Sequence, residues 1–192
     1  MTLNNDLKVA VLGAAHVLPY RALMLQAYAL AADAFTSTVG ERAAQPLAWW
    51  EKRIASPDGQ SQCFGAFDAG DLVGTVALEY SSRAKTQHSA VVIGMYVKAE
   101  ARRKGAGLLL MQAAITAASA RPNLRQLRLT VTEGNDAALR LYQSVGFVAW
   151  GTEPMAIHTS TGFKAKVHMA LVLNDGASMA SVSTQSRHKV QA

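Results

Sequence analysis

Cysteine occurs once in the 192 residues, at Cys63, which excludes an internal disulfide framework and any cysteine-clustered zinc site. The five histidines lie far apart and none stands in a His-Glu-x-x-His arrangement, so no metal is expected. Acidic residues are scarce, 13 against 19 Lys and Arg, which leaves a formal charge of +6. Long apolar runs are missing too. Residues 9–20 are uncharged after Lys8, but they contain His16 and Pro19 and fall short of the roughly 18 apolar residues a membrane span needs. A soluble, cytoplasmic protein without a membrane partner is therefore expected. Half of the residues are hydrophobic, and a chain of this length can bury its own core as one domain.

The positive charge is not spread evenly. Between residues 98 and 128, Lys98, Arg102, Arg103, Lys104, Arg121, Arg125 and Arg128 face a single acid, Glu100. That local excess equals the excess of the whole chain, so the remainder is balanced. A field this local suits a small phosphorylated ligand better than a nucleic acid, and no nucleic-acid partner is expected. Ordinary solvated charge is the plainer alternative.

The most informative stretch is 97–111. A β-branched apolar run at 90–97 reads as a strand, and a Leu/Met/Ala-rich segment after it has helical composition. Arg102, Arg103, Lys104, Gly105 and Gly107 thus sit where a strand hands over to a helix. Positive side chains at the positive end of a helix repel it unless an anion docks on the exposed N–H groups. Glycines at 105 and 107 would let the backbone approach such an anion closely.

The remaining pattern predicts strands at 7–12, 63–67, 72–80, 90–97, 127–131, 147–150 and 167–173, with a hairpin turn at 68–71. It predicts helices at 20–34, 46–54, about 105–120, and from an Asn135 cap to 145, with Gly146 as the stop. Residues 35–40 read as a break. The first five residues read as frayed, and the Ser/Ala/Thr-rich segment 174–192 as a flexible tail after a domain spanning 1–173. This order gives an α/β sandwich, a mixed sheet with helices on its faces.

Two rival phosphate loops fail on the residues. No Gly-x-x-x-x-Gly-Lys-Ser/Thr surrounds Gly105, and the third glycine of a dinucleotide fingerprint is replaced by Leu110. Arg102-Arg-Lys-Gly105-Ala-Gly107 instead resembles the Arg/Gln-x-x-Gly-x-Gly/Ala pyrophosphate loop of the Gcn5-related N-acetyltransferase (GNAT) family. Asn135-Asp-Ala-Ala138-Leu-Arg-Leu-Tyr142-Gln-Ser-Val-Gly146-Phe147 resembles that family's second block, in the same order and spacing.

The resemblance implies a mostly antiparallel mixed sheet with helices on both faces. In it, the strand carrying residues 95–97 splays from the strand at 127–131 to admit the pantetheine arm of acetyl-CoA. Backbone groups of Met95, Tyr96 and Val97 would line the arm. The turn formed by Arg102, Arg103, Lys104, Gly105, Ala106, Gly107 and Leu108 would cradle the pyrophosphate. Asn135 would approach the cofactor, its other reading being a helix cap alone. Tyr142 would lie near the sulfur as general acid, its other reading being a packed core tyrosine.

The implied reaction is direct acetyl transfer from acetyl-CoA to a primary amine, with the oxyanion held by a backbone N–H such as that of Met95. Many relatives carry a carboxylate on the strand before the glycine loop, and 90–97 has none. Glu79 reads first as a solvated strand end and second as a base acting through water. Phe35 and Thr36 fall where the family's acceptor loop lies, so these two and Glu79 are the substrate-side candidates. The acceptor expected is a small-molecule amine; a protein or aminoacyl-tRNA acceptor and a catalytically silent acyl-CoA sensor are the alternatives. A monomer and a homodimer are both compatible with the sequence.

Overall fold

The computed structural model describes residues 7–173; both the frayed start and the tail expected at 174–192 lie outside them. Among the described residues, seven strands form one sheet in the order β1-β2-β3-β4-β5-β7-β6. They are β1 Lys8–Val11, β2 Ser61–Asp68, β3 Asp71–Tyr80, β4 Ser89–Val97, β5 Gln126–Thr132, β6 Val148–Thr159 and β7 Gly162–Val172. Only β4 and β5 run parallel; every other neighbour pair is antiparallel. The helices are α1 Val17–Leu30, α2 Val39–Ala43, α3 Leu47–Ile54, α4 Ala106–Ser119 and α5 Asp136–Ser144. Mixed α/β architecture with helices on both faces is as the sequence implied.

Two apolar layers hold the sandwich. On one face Leu110, Met111, Ala114 and Ala118 of α4 pack with Leu127, Leu129, Phe147 and Met169. On the other, Tyr20 and Met24 of α1 and Trp50 and Ile54 of α3 close over Cys63 and Ala77. Burying each large side chain contributes about 1.5–3 kcal/mol, and Trp50 and Leu110 are wholly buried.

Several elements depart from the sequence reading. Helix α1 begins at Val17 rather than at residue 20, with Pro19 inside the first turn, where a missing N–H is tolerated. Pro46 sits just before α3 as its cap residue. The expected break at 35–40 contains the start of α2. There Thr38 Oγ1 accepts from the Glu41 amide at 3.2 Å, while Glu41 Oε2 accepts from the Thr38 amide at 2.7 Å. That reciprocal capping box outweighs the poor helix propensity of Val39 and Gly40. Strands β6 and β7 form a hairpin of 12 and 11 residues, far longer than the expected strands at 147–150 and 167–173. The pairing of β6 with β7 breaks between Glu153 and Ile157, across Pro154.

Burial also sets a pH limit. It pushes the Cys63 thiol up to about 11 from an ordinary 9.0, and the Tyr142 phenol up to about 12 from 10.0; Tyr20 is raised as well. In each case the folded state holds its proton to higher pH than the unfolded chain. The associated stabilisation is therefore complete below about pH 9 and is lost as pH rises from there through the folded values. Thermal melts followed by circular dichroism should show a midpoint that falls from about pH 9 upward, and a flat profile would refute this.

Candidate active site

The parallel pair β4/β5 is in register only at Ser89↔Gln126, Ala90↔Leu127 and Val91↔Arg128. Beyond Val91, β4 runs on to Val97 and β5 to Thr132 without pairing, so a wedge opens between them. A bulge shapes its inner edge. Thr75 pairs with Tyr96 and Ala77 with Ile93, which leaves Val76 opposite both Gly94 and Met95. Gly94 has φ +61°, a left-handed value that an isolated glycine in a β-branched run supplies without strain. The extra residue shifts the alternation of the strand. Ala90 and Val92 face α4 before it, and Met95 and Val97 face α4 after it.

Lys98 N donates to Val73 O at 2.8 Å. Antiparallel alternation then turns the N–H and C=O of Val97, and those of Met95 two residues earlier, toward the wedge. The Val97 carbonyl is engaged: Arg102 Nε donates to it at 3.0 Å, with the guanidinium 5.9 Å from the centre of the Tyr96 ring.

The turn into α4 has the shape of an anion cradle. Arg103 (φ +63°) and Gly105 (φ +90°) are both left-handed, and turns of this kind converge consecutive N–H groups on one concavity. The first N–H groups of α4 have no intrahelical acceptor. The three basic side chains differ: Arg102 is spent on Val97, and Lys104 Nζ pairs with Asp68 Oδ2 at 2.8 Å. Arg103 alone of the three has neither hydrogen bond nor ion pair among the described residues. The two glycines differ as well. A Cβ at Gly105 would meet open space, so its backbone conformation is what favours glycine there. A Cβ at Gly107 would stand 3.1 Å from Leu141 Cδ2 and 3.3 Å from Met95 Cε. Gly107 therefore lets α4 approach α5 and the bulge, a reason the sequence reading did not supply.

Across the wedge, Asn135 caps α5, its Oδ1 accepting from Ala138 N at 3.3 Å. Beside it, at the end of β5, the Thr132 hydroxyl is buried without a hydrogen-bond partner among the described residues. Nothing in the sequence singles out Thr132; only the end of the splayed strand reveals it. Tyr142 is buried against Phe147, ring centres 6.0 Å apart, and its hydroxyl has no partner among the described residues. Burial is the one cause that raises its pKa.

The acceptor-side candidates divide. Phe35 packs edge-on against Tyr28 at 4.8 Å, and Thr36 Oγ1 accepts from Lys166 Nζ at 2.7 Å. Lys166 pairs with Thr132 in the sheet, which brings this loop to the open end of the wedge. Glu79 lies elsewhere. It is paired with Val91, level with the closed end, half exposed, and 3.7 Å from Arg53 Nη1. Among the described residues no helix is long and apolar enough to cross a membrane, and no group of three or more His, Cys, Asp or Glu could hold a metal ion.

Acetyl-CoA fits these residues on three counts. The β4 edge lacks a ladder partner where an extended arm would lie, the α4 turn presents N–H groups and Arg103 to an anion, and Thr132 offers an unpartnered hydroxyl.

Comparison with known proteins agrees. The family model "Acetyltransferase (GNAT) family" matches residues 24–147. An L-amino acid N-acetyltransferase of Escherichia coli K12 is 28% identical over 103 residues, which is 54% of this chain and 62% of that protein, so the match spans less than two thirds of its length. The GNAT acetyltransferase structure from Streptococcus pneumoniae is 24% identical with a TM-score of 0.73, covering 88% of this chain and all of that one. A putative acetyltransferase from Salmonella typhimurium, solved with its cofactor acetyl-CoA, is 20% identical with a TM-score of 0.74, covering 93% of this chain and 99% of that one. With the splayed β4/β5 pair, the glycine turn and a family match over most of the described chain, this protein belongs to the GNAT family of acetyltransferases.

Proposed function

We propose that the protein transfers an acetyl group from acetyl-CoA to the primary amine of a small molecule, with free amino acids as the first class to test. The observation that carries this reading is the wedge itself, an unpaired β4 edge with a bulge at Gly94 that leads to a left-handed glycine turn. The acetyl-CoA in the Salmonella structure and the name of the Escherichia coli relative support the two halves of the proposal.

Acetyl-CoA supplies an acetyl group activated as a thioester. In this reading the N–H groups from Arg103 to Leu108, with the Arg103 guanidinium, hold the pyrophosphate. Met95 and Val97 bond the extended arm as a neighbouring strand would, and Arg102 swings off the Val97 carbonyl to release it. The Met95 N–H faces the oxygen on which negative charge develops. Tyr142 Oη carries a proton for the departing sulfur and regains it from solvent. Asn135 fixes the start of α5, and with it the position of Tyr142 about two turns on.

The attacking nitrogen must itself lose a proton. With no carboxylate on β4 and Glu79 held by Arg53 at the closed end, that proton goes to water, and Glu79 serves at most through a relay. Phe35 and Thr36 wall the acceptor side.

A thiol-release assay with acetyl-CoA tests the reading across amino acids, aminoglycosides, simple amines and peptides. Turnover is expected with at least one small amine. Turnover of peptides alone would move the acceptor to proteins, and acetyl-CoA binding without turnover of any amine would leave a sensor.

A further inference from the structure

A guanidinium without a carboxylate at ion-pair distance stands on the α1/α3 side of the sheet. Arg42, in the last turn of α2, donates from Nη2 to Ser37 Oγ at 2.6 Å. Its Nε is buried with no hydrogen-bond partner, and among the described residues no Asp or Glu lies within 4.0 Å of it. Two aromatic rings hold it: its Cζ is 4.6 Å from the centre of the Trp49 ring and 5.8 Å from that of Tyr28. Arg53 stacks on the same indole at 4.8 Å, but Arg53 already has Glu79. Two cations thus share one ring; Arg53 is paired with Glu79, whereas Arg42 has, among the described residues, only the exposed Glu41 carboxylate, which feels its charge from beyond ion-pair distance.

The position of Arg42 follows from α1. The terminal methyl of Met24 lies 4.0 Å from where a Cβ would stand on Gly94, so α1 crosses directly over the β4 bulge. Tyr28 is one turn further along, about 6 Å by helix rise, and it touches Phe35 on one side and Arg42 on the other. Ile93 and Tyr96, which flank the bulge, belong to the same apolar layer as Tyr28 and Trp49. Arg42 is thus joined, through Tyr28 and Trp49, to the apolar layer that covers the bulge from the side opposite the phosphate turn.

Stacking on aromatic faces leaves a guanidinium's edge to bind; with Nε enclosed and one N–H of Nη2 given to Ser37, Nη1 and the second N–H of Nη2 form the planar fork that matches a carboxylate. A partly desolvated cation without an anion is costly, and an incoming carboxylate removes the cost. The capping box of α2 and the Ser37 hydrogen bond fix the fork in advance, which lowers the entropy lost on binding.

We propose that Arg42, held by Trp49 and Tyr28, binds the carboxylate of the acceptor and so selects amino acids over amines that lack one. This deepens the acetyl-transfer reading and rests on it. The test is isothermal calorimetry on the full chain in the presence of CoA, with a panel of free L-amino acids, each paired with its carboxamide. At least one amino acid should bind at least about tenfold more tightly than its amide. Arg42→Ala should abolish that preference, and Arg42→Lys should keep part of it, since charge remains but the stacked fork is lost. Should Arg42→Ala fail to fold, Arg42→Gln carries the same expectation, with a planar amide in place of the cation. A preference that survives loss of the charge, or no preference in the unmodified protein, overturns the proposal. Thiol release measured on the same panel separates the two readings. Equal turnover of acid and amide leaves acetyl transfer standing and removes the Arg42 site. Preferential binding without thiol release removes acetyl transfer and keeps the site.

Discussion

Tyr142→Phe is expected to lower kcat for acetyl transfer by about two to three orders of magnitude while leaving the acetyl-CoA dissociation constant within about twofold. The size of the effect follows from what the hydroxyl does not do. It makes no hydrogen bond within the described residues, so its removal breaks no internal contact, and the ring keeps its place against Phe147. Stability should change little, because the hydroxyl makes no internal hydrogen bond to lose. The phenol, pushed up to about 12 by burial, keeps its proton throughout the neutral range, so the unmodified enzyme should show no alkaline fall in kcat from this group below about pH 11. Stopped-flow thiol release at saturating amine, together with calorimetry of acetyl-CoA binding, measures both quantities. An unchanged kcat would remove the acid role, and a matching loss of affinity would make Tyr142 a binding residue.

The second large effect is expected at the two glycines of the α4 turn, and its form distinguishes them. Gly107→Val places atoms where Leu141 and Met95 already stand, at 3.1 and 3.3 Å from the first carbon alone. Overpacking of this kind costs about 1–3 kcal/mol. The displacement reaches the bulge through Met95 and Tyr142 through its neighbour Leu141. We therefore expect acetyl-CoA affinity to fall by more than about tenfold, kcat to fall with it, and the thermal midpoint to drop by several degrees. Gly107→Ala meets only flexible side-chain ends and should be mild. Gly105→Ala meets nothing, yet must hold φ +90°, at about 1–2 kcal/mol. It should weaken acetyl-CoA binding without lowering kcat at saturation. A valine at 107 that leaves kcat intact would show that Leu141 and Met95 absorb the strain locally.

Much of the architecture was legible because local signals agreed with the fold. The alternation at 127–131, the Asn135 cap and the hairpin turn at 68–71 each stated its own conformation; Ala69 and Gly70 adopt the two positive φ values such a turn needs. The candidate site was legible where it is built of contiguous residues, as at 102–108. Its other half was hidden because it depends on distant partners. Thr132 gains meaning only from the strand end beside it, Arg42 only from rings on α1 and α3, and Gly107 only from Leu141. Gly94 did carry a signal, an isolated glycine inside a strand, and α2 carried one in Thr38-x-x-Glu41. The long β6/β7 hairpin carried almost none. Most of β6 is exposed and cannot show alternating burial, and Pro154 speaks against a strand.

That same proline bears on how copies of this chain meet. Among the described residues the open sheet ends at β1 and β6 with nothing paired beyond them, and an unpaired edge is a potential template for another chain's backbone. The β1 edge offers only four residues. The β6 edge is longer and carries exposed Val148, Trp150 and Met155, a combination that invites stacking. Between Glu153 and Ile157, however, the strand leaves its register, with Pro154 lacking a donor and Met155 turned to φ +51°. Among the described residues neither edge presents a long, flat row of donors and acceptors, so strand-by-strand growth into fibrils is checked there by backbone geometry rather than by charge.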